Sequence, residues 1–225
     1  ELDVSDRATP ETSGEITYRR LREDILFGRL APGQKLKLEQ ARLRYRASVS
    51  TLREVLSRLA SEKLVRAEGQ RGFEVAPISA QNLREIAALR QLLEQQAIEQ
   101  SFRLGDVEWE GAVVAAHHKL AAMEARMEAG DETAVAAWKQ YDWQFHQALI
   151  SACGSRLLME THAGVFDKYL RYQMLALGYR GQIAAREHAE LLRAALRRDH
   201  AAAQAVLAVH VSGGMEHAFG AGMLK

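Results

Sequence analysis

The sequence predicts a mainly α-helical protein with two domains. The first would hold three helices and a β-hairpin, and the second an all-α bundle of six to seven helices. Three observations lead there: apolar residues recur at three- and four-residue spacing, two β-prone runs flank a glycine-containing turn, and Pro77-Ile78-Ser79 interrupts the helical pattern. We expect domains at 15–76 and 81–218, a linker at 77–80, a disordered tail at 1–14 and a C-terminal tail at 219–225.

Three helices open the first domain. Apolar spacing from Ile16 onward, ended by Gly28, predicts a helix over 15–28, and a second short helix follows at 38–45 after the extended candidate Lys35-Leu36-Lys37. Ser48 is a good N-cap for a third helix, because its hydroxyl can accept a bond from a free backbone N–H. The apolar stripe of this third helix consists of Leu52, Val55, Leu56 and Leu59.

A β-hairpin completes the first domain. Residues 64–67 and 73–76 are predicted strands, and the intervening Glu68-Gly69-Gln70-Arg71-Gly72 carries glycines that suit a tight turn. Three helices followed by a hairpin constitute a winged helix-turn-helix.

Positive charge is concentrated in this first domain. Residues 16–76 contain 14 Lys and Arg against 7 Asp and Glu, a net charge of +7, whereas residues 77–225 contain 15 against 17, a net charge of −2. A basic module beside a slightly acidic one indicates that the first meets a polyanion, although uneven surface charge is the simpler alternative.

Composition also excludes some classes of protein. No apolar run approaches the roughly 20 residues that span a bilayer, and the N-terminus lacks a basic region followed by an apolar one, so we expect a cytoplasmic protein without a membrane partner. The single cysteine, Cys153, cannot form an internal disulfide, and we interpret it as a buried structural residue rather than a nucleophile.

The third helix carries side chains suited to contact bases and phosphates in the major groove of DNA. The N-terminal residues of a recognition helix reach base edges, while basic and hydroxyl side chains hold phosphates. The predicted DNA-binding residues are Arg44, Arg46, Ser48, Ser50, Thr51 and Arg53, with Gln70 and Arg71 at the tip of the wing. The alternative is an amphipathic helix and an ordinary hairpin in an unrelated α protein.

These motifs resemble the DNA-binding domain of GntR-type repressors. The resemblance rests on Pro32-Gly33, on the run from Ser48 to Leu59, and on the stretch from Glu62 through Gly72-Phe73, about 60 residues in all. Such proteins usually carry Arg after the serine that opens the recognition helix, and this chain has Val49. The resemblance therefore implies binding to double-stranded operator DNA whose sequence departs from that common in the family.

The second domain is predicted to contain six helices and a metal site. The helices are expected at 80–103, 106–129, 132–152, 155–177, 181–198 and 200–218. Asp142 and His146 lie four residues apart and share a helix face, while His188 and His210 lie on the last two helices. This set suits a divalent transition metal, with zinc favoured and nickel or manganese as alternatives. From spacing alone, solvated or core histidines explain the pattern better than a metal site does.

The second domain also resembles the helical FCD effector domain of the FadR branch of GntR regulators, over roughly residues 80–215. The resemblance implies that Asp142, His146, His188 and His210 bind the metal and that a small carboxylate effector pairs with an arginine, Arg90 or Arg171. For each arginine, a surface or interface salt bridge with a nearby glutamate is an equal alternative. The remaining histidines are interpreted as structural or solvent-facing: His117, His118, His162, His200 and His217. The stretch 145–155 and Val165-Phe166-Asp167 are similar to glutarate-responsive repressors, which favours a dicarboxylate.

The leading functional hypothesis is a homodimeric repressor that a small carboxylate releases from its operator. Dimerisation is expected because one short recognition helix reads too few bases, and two-fold symmetry doubles the contacts. Two alternatives stay open. One is a metal-dependent hydrolase in which Glu187 is the obvious neighbouring base, and the other is a sensor whose effector is the metal ion itself.

Overall fold

The computed structural model describes residues 11–69, 72–176, 180–220, 222 and 224, and the chain divides into two compact units after Pro77. The described residues form nine α-helices, three strands and one 3₁₀ turn. In the first unit these are α1 (Ser13–Leu26), β1 (Lys35–Leu36), α2 (Leu38–Tyr45), α3 (Val49–Ser61), β2 (Val65–Ala67) and β3 (Phe73–Val75). In the second they are α4 (Ala80–Leu104), α5 (Val107–Glu128), the 3₁₀ turn (Glu132–Ala134), α6 (Val135–Ile150), α7 (Arg156–Ala176), α8 (Gln182–Leu196) and α9 (His200–Gly220).

The start of α1 corrects the predicted tail at 1–14. The Thr12 side chain accepts a hydrogen bond from the Glu15 backbone N–H at 3.2 Å, and this N-cap starts the helix at Ser13. Two residues of the expected tail are therefore helical, and residues 1–10 lie outside the described part of the chain.

The wing is part of a three-stranded sheet. β2 and β3 form the predicted antiparallel hairpin, with Val65 opposite Val75, and β1 pairs with the other side of β3, with Lys35 opposite Glu74. The apolar stripe of α3 packs inward as its spacing predicted, and Leu52, Leu56 and Leu59 are fully buried. The winged helix-turn-helix is thereby confirmed.

A buried carboxylate ties α1 to α2 in this unit. Asp24 accepts hydrogen bonds from Arg29 Nε at 2.5 Å, Arg44 Nη2 at 2.5 Å and Tyr45 Oη at 2.7 Å. Burial raises the pKa of Asp24, but the bonds from Arg29 and Tyr45 outweigh it and the pKa is lowered overall.

We expect Asp24→Asn to lower the free energy of unfolding of the first unit by about 1–3 kcal/mol at neutral pH, because charged hydrogen bonds to a buried acceptor are lost. The lowered pKa makes this contribution fully present above the unfolded pKa near 4, and it is lost as the pH falls through the lower folded value. Urea unfolding at pH 7 and at decreasing pH measures the difference. Glu39→Gln, at an exposed pair with Arg42, is the control and should change little. If the difference in free energy of unfolding between the wild type and Asp24→Asn increased as the pH fell, it would contradict the role of ionised Asp24 as the hydrogen-bond acceptor.

The second unit is a bundle in which α4 packs against α7 and α9, α5 against α6 and α8, and α8 against α9. Its six helices among the described residues agree with the lower number predicted. α9 continues to Gly220, two residues into the predicted C-terminal tail, because Phe219 packs against the hydrophobic core. No helix in the described ranges is both long and apolar enough to cross a bilayer.

Candidate metal centre and nucleic-acid interface

The N-terminus of α3 presents a cluster of hydroxyl groups. Ser48 Oγ accepts a hydrogen bond from the Thr51 N–H at 3.1 Å and lies 2.8 Å from both Ser50 Oγ and Thr51 Oγ1. Ser50 and Arg53 are exposed on the helix, whereas Val49 at its first residue is half-buried. The arrangement leaves a hydroxyl and a guanidinium on the outer face, where phosphate or base edges can be reached.

A surface groove connects α3 to the wing. It has a volume of about 860 Å³ and is lined by Arg53 and Ser57 of α3, by Lys35 and Lys37, and by residues of the hairpin that include Phe73. The two lysines are exposed and were missed as site residues in the sequence, although their alternation around Leu36 marks one face of a strand.

The remaining predicted DNA-binding residues have different surroundings. Arg44 is paired with Asp24 and lies 5.6 Å from the Tyr45 ring, so it also holds α1 and α2 together. Arg46 is exposed and ends α2 in the left-handed conformation, with φ of 53°. Gln70 and Arg71, predicted at the wing tip, lie outside the described residues.

The four predicted metal ligands come together inside the second unit. Asp142 and His146 of α6, His188 of α8 and His210 of α9 each offer one donor atom, and these atoms lie within 4.8 Å of one another. All four side chains are buried. The four side chains therefore come from three helices, and only Asp142 and His146 are close to each other in sequence.

Each of the three histidines has a buried glutamate at its Nδ1. His188 Nδ1 lies 2.6 Å from Glu124 Oε1, His210 Nδ1 lies 2.7 Å from Glu187 Oε2, and His146 Nδ1 lies 3.4 Å from Glu94 Oε2. A carboxylate at one ring nitrogen fixes the tautomer and leaves the other nitrogen as a metal donor. Glu94 and Glu124 were not predicted as site residues, and Glu187 was named only as the base of the hydrolase alternative.

Unpartnered polar atoms show that the cluster fits a metal ion. Asp142 Oδ2 and His188 Nε2 are fully buried and have no hydrogen-bond partner among the described residues. His188 Nε2 is 3.2 Å from Asp142 Oδ1, an ion-pair distance that lacks hydrogen-bond geometry. Buried polar atoms without partners are costly, and a divalent cation would satisfy them. Three imidazole nitrogens and one carboxylate oxygen are a donor set for zinc, nickel or manganese.

The protonation states of the histidines differ. Burial lowers the pKa of His146 and lowers that of His210 well below its usual value, with the His188 charge adding to the latter effect. Burial also opposes the charged form of His188, but Asp142 and Glu124 outweigh it and raise its pKa to about 9. Two of the imidazoles are therefore in the neutral form that can bind metal, and a metal ion bound at neutral pH would displace a proton from His188.

The Glu124 contact gives a testable consequence. We expect Glu124→Gln to weaken metal affinity by about 10- to 100-fold, because the carboxylate that orients His188 is lost. Competition with a chromophoric chelator measures the affinity. Glu128→Gln, one turn further along α5 and exposed, is the matched control and should bind metal like the wild type. Equal losses in the two variants would mean that Glu124 acts only through overall charge.

Arg90 lies against this cluster. It is fully buried, its Nε donates to Glu94 Oε1 at 2.8 Å, and its Nη2 lies 3.1–3.2 Å from both ring nitrogens of His146. The guanidinium also stacks on Phe166 and Tyr169, at 4.4 and 4.5 Å from their ring centroids. Arg90 Nη1 has no hydrogen-bond partner among the described residues, so it is a buried N–H group that can donate a hydrogen bond beside the four-ligand cluster.

Arg171, the other predicted effector-binding residue, has a different position. His162, Phe166 and Tyr169 of α7 contact Glu94 or Arg90, and they follow one another at helical spacing. At 100° per residue, Arg171 lies about 180° around α7 from this face. Burial lowers the pKa of Arg171 to about 10. Because the helix geometry directs the Arg171 side chain away from the cluster, we do not retain it as an effector ligand.

Other polar residues near the cluster were missed in the sequence. His162, interpreted there as structural or solvent-facing, is buried and lies 2.6 Å from Glu94 Oε1. Lys139 is 1% exposed and donates to Gln173 Oε1 at 3.0 Å, and burial lowers its pKa to about 7. Its position three residues before Asp142, on the same helix face, was the available indication. His118, His200 and His217 are exposed, His117 is half-buried, and Cys153 is buried, in agreement with their interpretations.

A basic winged helix-turn-helix followed in the chain by a helical unit with a buried polar cluster is typical of DNA-binding regulators with a sensing domain. Residues 14–75 match the gntR family of bacterial regulatory proteins, and residues 85–213 match the FCD domain. The chain therefore belongs to the GntR family and carries an FCD domain.

Known proteins support the same assignment. The chain is 37% identical over 199 residues to the regulator BphR of Paraburkholderia xenovorans, covering 88% of this chain and 81% of the relative. It is 33% identical over 202 residues to the transcriptional repressor GlaR of Escherichia coli, covering 86% and 90%. Its fold matches that of E. coli McbR/YncC, with a TM-score of 0.77, 19% identity and coverage of 93% and 98%. A GntR regulator from Rhodococcus matches with a TM-score of 0.73, 22% identity and coverage of 90% and 95%.

These relatives are transcription regulators, and the chain is a transcription regulator rather than an enzyme. The hydrolase alternative is therefore not supported. The contacts of Glu187 also argue against a role as general base. Its carboxylate accepts a hydrogen bond from Arg180 and lies 2.7 Å from His210 Nδ1, so it is already paired.

Proposed function

We propose that the protein is a homodimeric repressor that leaves its operator when a small carboxylate binds at a metal site formed by Asp142, His146, His188 and His210. The observation that carries the proposal is the convergence of four buried donor atoms within 4.8 Å, next to buried Arg90, whose Nη1 has no hydrogen-bond partner in the described part of the chain. Zinc is the favoured ion, with nickel and manganese as alternatives.

The site would recognise a carboxylate through two of its oxygens. A divalent metal held by the four residues would supply a Lewis acid for one carboxylate oxygen. Arg90 Nη1 can donate to the other oxygen, since Arg90 is already oriented by Glu94 through Nε. Stacking on Phe166 and Tyr169 holds the guanidinium plane in place before the ligand arrives.

Effector binding would act on DNA binding through a shift between two arrangements of the bundle. The site joins α6, α8 and α9, so a ligand that prefers one relative position of these helices stabilises that arrangement. In a homodimer the same shift changes the spacing of two recognition helices, and with it the affinity for a two-fold operator in the cytoplasm. The DNA-contacting set would be Arg53, Ser50, Arg46 and the groove lysines Lys35 and Lys37, together with the predicted wing-tip residues Gln70 and Arg71.

The test is operator binding at fixed salt concentration, by fluorescence anisotropy on a duplex selected from a random pool. We expect submicromolar binding by the zinc-loaded protein and a 5- to 150-fold loss when an active carboxylate is added, corresponding to about 1–3 kcal/mol of coupling. Metal and carboxylates are titrated separately. A response to metal alone would favour the metal-sensor alternative, and the absence of specific duplex binding would overturn the proposal.

A further inference from the structure

Arg180, two residues before α8, lies between the candidate metal site and the surface. Arg180 Nη2 contacts Glu187 Oε2 and lies 3.3 Å from His210 Nδ1, so the guanidinium reaches a residue of the four-ligand cluster. The Arg180 and Glu187 side chains are only 12% and 10% exposed. This ion pair therefore forms the outer boundary of the site on the side of His210.

The same two residues also line an external groove. This groove has a volume of about 730 Å³, and its other walls come from the exposed Ile183 and Val209 and from the C-terminal half of α9. His210 is 4% exposed and is not among the groove-lining residues. Arg180 and Glu187 are thus shared between the groove and the buried cluster, and they separate one from the other.

A glycine in α9 makes room for this arginine. A Cβ atom on Gly213 would overlap Arg180 Nη1, and the next residue, Gly214, is similarly required by the Tyr169 hydroxyl. Glycine inside a helix costs about 1 kcal/mol relative to alanine, so its presence here needs a reason. Glycine is needed at position 213 because the Arg180 side chain passes over the α9 backbone there.

We propose that Arg180 closes the entrance from this groove to the cluster of Asp142, His146, His188 and His210, and that an incoming small carboxylate takes the guanidinium from Glu187. Guanidinium binds carboxylates in a planar, two-pronged manner, so a ligand carboxylate is a direct competitor of the Glu187 side chain. The exchange breaks one ion pair and forms another without moving the backbone. The proposal rests on the effector site described above, because it assigns that site its entrance.

Metal release to a chelator tests the closure. In the zinc-loaded full chain we expect Arg180→Ala and Gly213→Ala each to speed release by about tenfold, the change that corresponds to losing one charged hydrogen bond. The double variant should be no faster than the single ones, since both act on one side chain. Gly213→Ala displaces only the far end of a flexible side chain, so it should fold normally. Unchanged release in both single variants would overturn the proposal while leaving the four-ligand site intact.

Matched controls exist for both substitutions. Arg186→Ala removes an exposed arginine of α8 whose guanidinium donates to Gln182. Gly111→Ala adds a Cβ within a helix where nothing lies within 4 Å. Both controls should release metal at the wild-type rate, and faster release in either would contradict a specific role for Arg180.

A second measurement does not require bound metal. Exchange of the imidazole carbon-bound hydrogen of His210 with deuterium, followed by mass spectrometry on the metal-free protein, reports access of water to the site. We expect faster exchange at His210 in Arg180→Ala and Gly213→Ala, with His162 at the Glu94 side unchanged. If the chain binds no metal, the four-ligand proposal fails and this experiment alone tests the role of Arg180. Equal His210 exchange rates in the wild type and the two variants would then refute the closure.

The carboxylate step is tested with Co(II)-loaded protein and acetate as the probe, using the visible spectrum of the ion. Arg180→Ala should weaken acetate binding by about tenfold, because a charged donor is lost. Arg180→Lys keeps the charge but not the planar pair of donors, and should lose less. Equal acetate affinity in the three proteins would contradict the role of Arg180 in receiving the carboxylate.

Discussion

His188→Gln is expected to lower the zinc affinity of the protein by more than about 100-fold, because loss of an orienting partner alone costs 10- to 100-fold and here the ligand itself is removed. His188 is fully buried, and its Nε2 is one of the two donor atoms without a hydrogen-bond partner among the described residues. The substitution also leaves Asp142 and Glu124 without the imidazole that both approach. We therefore expect the variant to lose the increase in melting temperature that zinc gives the wild type.

The matched control is His118→Gln, which makes the same chemical change at an exposed position of α5. Chelator competition and thermal unfolding with and without zinc measure both proteins. Circular dichroism of the metal-free variant establishes that it is folded, since a broken buried ion pair can cost about 3–5 kcal/mol. Zinc affinity within threefold of the wild type would refute the assignment of His188 as a ligand.

The second large effect is expected at Arg53. Replacing it with alanine should weaken binding to a selected operator by about 1–3 kcal/mol, roughly 5- to 150-fold, if the guanidinium reads a base through two hydrogen bonds. Arg53 lies within the first turns of α3, is exposed, and shares the groove with Lys35 and Lys37. A contact to phosphate would instead weaken all duplexes alike and reduce the slope of log affinity against log salt by about one.

Binding is measured by anisotropy on the selected duplex and on a scrambled duplex, over a range of salt concentrations. Arg193→Ala removes an exposed arginine of α8 whose nearest carboxylate is Glu190 at 3.7 Å, and this control should bind like the wild type. Lys35→Ala should reduce affinity for both duplexes, since a lysine beside the wing is suited to phosphate. Wild-type affinity in Arg53→Ala would exclude α3 as the helix that enters the groove.

Local patterns in the sequence were sufficient for the first unit. The stripe of α3, the cap at Ser48 and the glycines around the wing each act over a few residues, and the structure has them where the spacing indicated. Helix ends were less well predicted, because they depend on contacts such as the Thr12 cap and the packing of Phe219. The structural role of Arg44 depends on Asp24, which is 20 residues earlier and shows no sequence signature.

The sequence alone determined the two-domain organisation, the basic recognition helix and the Asp142 and His146 pair, because all of these are periodic or local features. His188 and His210 joined that pair through their positions on the last two predicted helices and through resemblance to a family, because no local spacing links them to it. Tertiary structure decided that α6, α8 and α9 bring the four donors within 4.8 Å, that a glutamate from another helix faces each histidine, and that Arg90 lies against His146. It also placed Arg180 over Gly213. These features join residues up to 68 positions apart, as in Asp142 and His210, and only helix packing sets such distances.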